Sequence, residues 1–376
     1  MKATKQSKTY FYRQNRRMRL LRLLLFPFSF FYALAVIIRN YAYDAGILKS
    51  RRFKIPIISV GNLAVGGAGK SPMTEYLVAL LKDEFKLATL SRGYGRRTKG
   101  FLTVKTSSLA EDIGDEPLQF KKKYSDITVA VCEDRVEGIK ELNQHHELII
   151  LDDAFQHRAV KPGLSILLFD YSSLQKFQWL LPTGDLREPL SGRKRADLVV
   201  ITKVPHSLSD DERRTLTKKV APFPHQGVFF SSFEYAPLKR LSDPKNTLET
   251  ADIQPDTTIF LLTGIANPAP LLEYLTQFSA NIIQLEYPDH HHFTRKNIAK
   301  LVKEFEAVNS AGKLVITTEK DAQRLNSYHV RELLRPLPVY YLPVKAVIQP
   351  PDEERFNDLI RDYVRKHPVN HRIYKA

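Results

Sequence analysis

Ile57-Ile58-Ser59-Val60-Gly61-Asn62-Leu63-Ala64-Val65-Gly66-Gly67-Ala68-Gly69-Lys70-Ser71-Pro72 decides how this chain is read. An apolar run enters a glycine-rich loop, Gly-Lys-Ser follows, and the pattern then predicts a helix from Thr74 to Lys82. Strand, loop and helix in that order make a phosphate-binding loop. Its backbone N–H groups wrap phosphate oxygens, a lysine reaches the outer phosphates and a hydroxyl holds Mg²⁺. The helix N-terminus adds donors and partial positive charge. Ala64, Val65, Gly66, Gly67, Ala68, Gly69, Lys70 and Ser71 are therefore the expected nucleotide-binding residues. The strict pattern asks for glycine at position 64, where this chain has alanine.

Downstream, short apolar runs alternate with helical stretches. Leu87–Leu90, Thr128–Val131, Leu148–Leu151, Ser165–Phe169 and Leu198–Thr202 read as strands, and Val136–Asn143 reads as a helix. That alternation predicts a mostly parallel α/β sheet with helices on both faces. Polar residues collect at the ends of these runs. Ser91-Arg92-Gly93-Tyr94-Gly95-Arg96-Arg97 suits an anion-binding turn as well as a plain basic loop, and Gly114-Asp115-Glu116-Pro117 opens a helix. Asp152-Asp153 closes a buried-type strand, the place where nucleotide hydrolases hold Mg²⁺ or its water shell. Arg187-Glu188 lies between turn residues.

Positions 204–256 are polar and dotted with proline, and a second α/β series begins at Ile259. The expected division is a segment over 1–50, a phosphate-loop domain over 51–225 and a smaller α/β domain over 226–376. In the last part, Asp289-His290-His291-His292 precedes a helix, and Thr318-Glu319-Lys320-Asp321-Ala322 follows a strand. Adjacent histidines on a loop point different ways and rarely share one ion. A histidine oriented by Asp289 for acid–base chemistry fits better.

The formal charge of +16 is local: the first 54 residues hold 13 Lys or Arg against the single acid Asp44. Residues 23–38 are uncharged, rich in aromatics and closed by Arg39. Sixteen such residues fall short of the roughly 18–20 that a spanning helix needs, and Pro27 interrupts the run. No small-residue cleavage site follows, which argues against a signal peptide. A helix lying at an anionic membrane surface fits best, ahead of a spanning helix or one docked on the protein's own core. So apolar a continuation argues against a nucleic-acid-binding arm. The single Cys132 excludes an internal disulfide framework.

Taken together, these stretches resemble the tetraacyldisaccharide 4'-kinase family, the lipid A kinases of Gram-negative bacteria. The resemblance runs from the apolar N-terminal segment to Glu319-Lys320-Asp321-Ala322, and family members share the altered glycine at position 64. It implies ATP and Mg²⁺ as cofactors and a lipid A disaccharide precursor as acceptor. It also implies a place at the cytoplasmic face of the inner membrane, peripheral or monotopic, with no obligate protein partner. By the same resemblance Lys70 would contact the β/γ-phosphates, and Asp115 would be the base, tuned by His290. Ser71, Glu116, Asp152 and Asp153 would serve Mg²⁺. Arg92, Arg187 and Glu188 would shape the site or hold the lipid head group. A membrane-associated GTPase or ATPase switch is the alternative. However, Thr202-Lys203-Val204-Pro205 and Thr318-Glu319-Lys320-Asp321 do not match the Asn-Lys-x-Asp that reads guanine.

Overall fold

The computed structural model describes Arg22, residues 24–326 and residues 328–367. The basic positions 2–19 and Leu23 of the N-terminal segment, Ser327 and the tail from 368 lie outside the described residues.

Strands buried on both faces form the centre of the first sheet. It contains β1 (Ile57–Asn62), β2 (Leu87–Ser91), β3 (Leu102–Thr103), β4 (Thr128–Val131), β5 (Leu148–Asp152), β6 (Leu164–Asp170), β7 (Leu198–Thr202) and β8 (Gly227–Tyr235). A second sheet contains β9 (Leu238–Arg240), β10 (Thr247–Leu248), β11 (Thr258–Thr263), β12 (Ile282–Glu286), β13 (Lys313–Thr318) and β14 (Val339–Leu342). The chain then returns to the first sheet, where β15 (Val344–Ile348) pairs antiparallel with β8. The two strand orders are 15-8-7-6-1-5-2-4-3 and 10-9-14-13-11-12. β1 lies between β5 and β6, parallel to both. The C-terminal ends of β1 and β5 therefore open side by side, where open α/β sheets place their ligands.

The helices are α1 (Phe26–Asp44), α2 (Lys70–Leu81), α3 (Ala110–Ile113), α4 (Asp115–Lys123), α5 (Arg135–Leu142), α6 (Asp210–Val220), α7 (Ala269–Leu275), α8 (Arg295–Ala307), α9 (Glu319–Leu325), α10 (Tyr328–Leu334) and α11 (Glu353–Arg365). Ile58 and Val60 face a core shared with Met73 and Leu77 of α2 and Phe356 and Ile360 of α11. Ile57 faces the opposite core with Ile139 and Leu142 of α5. Both faces of the sheet are thus covered, as continuous apolar strands require.

The sheets divide the chain differently from the expected cut at 225/226. β8 and β15 both belong to the first sheet. The stripe Phe356, Ile360, Val364 on α11 is buried in the first core, and the Tyr363 hydroxyl bonds the backbone of Ile57 at 3.0 and 3.1 Å. The reason is that β8 leaves an open edge and an apolar face, which only a distant segment covers.

α1 is inverted relative to an ordinary surface helix. Its buried residue is Ser29, whose hydroxyl donates to Leu180 O (3.2 Å) and lies 2.8 Å from Thr183 Oγ1. Tyr32 donates to Arg187 O at 2.7 Å, and Asn40 donates to Glu188 at 3.1 Å. Phe30, Phe31, Ile37 and Ile38 are each more than half exposed. The helix is thus docked on the protein through polar side chains, and its outward face is apolar. Among the described residues no helix is long and apolar enough to cross a membrane.

Candidate active site

β1 ends in Asn62, and the loop that follows leads directly into α2. Gly69 caps α2 with φ 79°, in the left-handed region where a side chain is strained, and an added Cβ would lie 3.0 Å from Phe233. Lys203 at the end of β7 donates to Gly67 O, and Thr202 Oγ1 donates to Ala68 O at 2.9 Å. The loop's carbonyls are thereby held from behind. Lys70 Nζ stands 3.4 Å from Asn62 Oδ1 and 3.6 Å from Asp153 Oδ2.

Asp152 and Asp153 follow one another but differ electrostatically. Asp152 is fully buried and accepts a hydrogen bond from Thr74 Oγ1 at 2.9 Å. Burial, then repulsion from Glu116 and Asp153, pushes its carboxyl up to about 7. Asp153 is also pushed up by burial, but Lys70 and Arg187 outweigh that and hold it below the usual carboxylate range. Among the described residues no group of three His, Cys, Asp or Glu side chains forms a metal cage. Mg²⁺ takes hard oxygen ligands and usually keeps several waters. Asp152, Asp153 and Glu116 supply oxygen donors of that kind, and Ser71 adds a hydroxyl in the first turn of α2.

The second cluster spans the two sheets. Gly114, with φ 94°, turns the chain so that Asp115 begins α4. Asp115 Oδ2 accepts from Arg324 Nε at 2.9 Å and lies 3.2 Å from His290 Nδ1. Burial opposes its ionisation, yet the His290 hydrogen bond and the Lys320 and Arg324 charges win, and its carboxyl titrates well below the usual range. His290 Nε2 is 3.2 Å from Lys320 Nζ, which in turn pairs with Glu116 at 3.1 Å. The Tyr94 ring lies 4.8 Å from the imidazole. Of the three histidines, His290 alone meets Asp115: His291 stacks on Tyr287 and bonds Asn297, and His292 lines a cavity of about 360 Å³ beside Asp115.

Arg187 joins the first cluster, at 2.9 Å from Asp153 Oδ1. Glu188 is 2% exposed, and its carboxylate is engaged by Arg195 (2.8 and 2.9 Å), Gln156 (3.1 Å) and Asn40 (3.1 Å). Arg92 is exposed, close enough to the buried Arg135 for their charges to repel.

A family model described as Tetraacyldisaccharide-1-P 4'-kinase matches residues 21–365. The chain belongs to that family. A curated tetraacyldisaccharide 4'-kinase of Phocaeicola vulgatus is 43% identical over 352 residues, covering 92% of this chain and 96% of the relative. One from Flavobacterium johnsoniae is 41% identical, covering 93% and 99%. A crystal structure of LpxK from Aquifex aeolicus in complex with ATP superposes with a TM-score of 0.69 at 30% identity, covering 92% of this chain and 99% of that one. Tetraacyldisaccharide 4'-kinases are phosphotransferases of lipid A biosynthesis, and the switch-type GTPase reading is not favoured.

Sequence reasoning assigned no role to Arg324, Lys320 or Arg135. The first two had a signal in the Glu319-Lys320-Asp321-Ala322 stretch, where Lys320 and Arg324 are four residues apart and share a helix face. Arg135 had none, because a buried arginine looks like any other on a surface-type helix.

Proposed function

We propose that this chain transfers the γ-phosphate of ATP to the 4'-hydroxyl of a tetraacyldisaccharide 1-phosphate through the two clusters described above. What supports the reading is the closeness of the two clusters. Asp115 and Glu116 are consecutive on α4, and Glu116 is near enough to raise the Asp152 carboxyl. A hydroxyl at Asp115 is thereby brought next to the phosphate loop.

Lys70 and the loop N–H groups bind the β- and γ-phosphates, as in phosphate-loop NTPases. Ser71, Glu116, Asp152 and Asp153 are the residues that would hold Mg²⁺, which neutralises charge on the phosphates when bound. Arg187 fixes Asp153. Asp115 accepts the sugar hydroxyl's proton as the oxygen attacks phosphorus, and His290 and Arg324 hold that carboxylate ionised and aimed. Arg92, which is exposed, presents positive charge to the anionic acceptor. Glu188 acts as a positioning residue, linking α1 to the loop that carries Arg187.

The outward face of α1 would rest on the anionic cytoplasmic leaflet, burying apolar side chains at the headgroup boundary. The test is direct. Protein in detergent, given Mg-ATP and the disaccharide 1-phosphate lipid, should yield the 4'-phosphorylated product. Intact ATP binding without that product would sink the substrate assignment.

A further inference from the structure

The loop between β6 and β7 carries an aromatic cluster outside the catalytic groups. Phe177 is 81% exposed and Trp179 is 43% exposed, yet the two rings pack on each other at 5.0 Å. Trp179 also meets Phe26 of α1 edge-to-face at 5.3 Å. The cluster therefore continues the exposed apolar face of α1 instead of standing apart from it. No protein acceptor for the indole N–H occurs among the described residues. Lys176 beside it is exposed, and Arg22 stands at the same end of α1, partly exposed against Asp185.

The tip is rigidly tied to the chemistry. Leu186 N donates to Trp179 O at 2.9 Å, and Gly184 N donates to Leu180 O at 2.9 Å. Gly184 packs so closely that an added Cβ would lie 2.2 Å from Trp179 O. Arg187, which holds Asp153, is the next residue after this turn.

We propose that Phe177 and Trp179 form a second membrane contact that works with α1. The occupant is the headgroup boundary of an anionic bilayer. Three features select it over another protein surface. The rings are aromatic with one polar N–H, the chemistry that settles at the boundary between headgroups and acyl chains. Cationic side chains flank them, complementary to anionic lipid. The patch is also continuous with an inverted helix whose polar side is already used for docking. Two contacts at different points fix the protein's tilt, which a single helix lying in the surface does not. The tight turn would pass that orientation to Arg187.

This inference rests on the proposed membrane contact of α1, and the experiment separates the two. Trp179 is the only tryptophan in the chain, so its emission reports on this loop alone. Full-length protein is mixed with vesicles of phosphatidylglycerol and phosphatidylethanolamine, and cosedimentation and tryptophan emission are read together. The expected result is cosedimentation with a blue shift of the emission and strong quenching by lipids brominated on the acyl chains. Phe177→Glu should weaken partitioning about tenfold or more, since it puts a charge where the exposed ring would enter the bilayer boundary. Cosedimentation with unchanged, unquenched emission overturns the loop contact and leaves α1 standing. Failure to cosediment overturns both. A dimer that Phe177→Glu dissociates, with no effect on vesicle binding, would assign the patch to a second copy and overturn the proposal as well.

Discussion

The two halves of the proposed active site are built in opposite ways. The phosphate-binding half is nearly continuous in sequence: Asn62, Lys70 and Ser71 fall on one strand–loop–helix unit, and Asp152 and Asp153 come from the neighbouring strand β5. The acceptor half has no such continuity. Asp115 comes from α4 of the first sheet's layer, while His290 and Arg324 come from the second. A local loop can bind phosphate as soon as its own sheet forms. A base whose partners sit on another layer is complete only when the layers are docked.

That contrast can be broken by mutation. The largest effect should follow Asp115→Asn, which keeps shape but removes the proton acceptor. Turnover should fall about 10²- to 10⁴-fold, while affinity for a fluorescent ATP analogue stays near that of the unchanged protein. Near-normal kcat would show that Asp115 is not the base. Lys70→Ala should cost about 10²- to 10³-fold through the lost phosphate contact, and unlike the first variant it should also weaken nucleotide binding. Equal loss of nucleotide affinity in both would erase the distinction between the halves.

Arg324→Met tests the dependence on docking. It leaves the buried Asp115 carboxylate short of a cation, so stability should drop by about 3–5 kcal/mol in chemical denaturation. The same change raises the Asp115 pKa, and the acid limb of the pH–rate profile should move to higher pH. An unmoved limb would mean that Arg324 supports the fold without tuning the base.

The smallest effect concerns a second contact between the layers. Lys123 Nζ lies 3.3 Å from Glu319 of α9 and also pairs with Glu75 of α2. Burial, then the charge on Glu319, pushes the Glu75 carboxyl from 4.5 to about 7. A carboxyl raised in the folded state binds more protons than in the unfolded chain, so this group's contribution falls as pH rises from about 4.5 to 7. Glu75→Gln should flatten that decline and raise Tm most above pH 7. Parallel Tm–pH curves for the two proteins would remove Glu75 from the account.

The legibility of the chain follows the same contrast. β4 and β7 matched their predicted spans, Thr128–Val131 and Leu198–Thr202, because each is a short apolar run with clear ends. The helix after the phosphate loop begins at Lys70, earlier than the expected Thr74, because Gly69 caps it directly. β15 and α9 were not anticipated. β15 is defined by its pairing with Ser231–Tyr235, and α9 starts with a Thr318 cap whose hydroxyl accepts from Asp321 N, a signal that the preceding strand obscured.

By itself, the sequence determined the parallel α/β layers, the phosphate loop and the carboxylates at the strand ends. Periodicity and the backbone needs of a phosphate site act over a few residues, and so they leave a local trace. Only the tertiary structure decided which of three consecutive histidines meets Asp115, that Arg324 completes it, and that Glu188 is buried against Arg195. It also decided that α1 turns Ser29 inward and its phenylalanines outward. Those outcomes depend on which surfaces meet across long stretches of chain, and no local pattern records that.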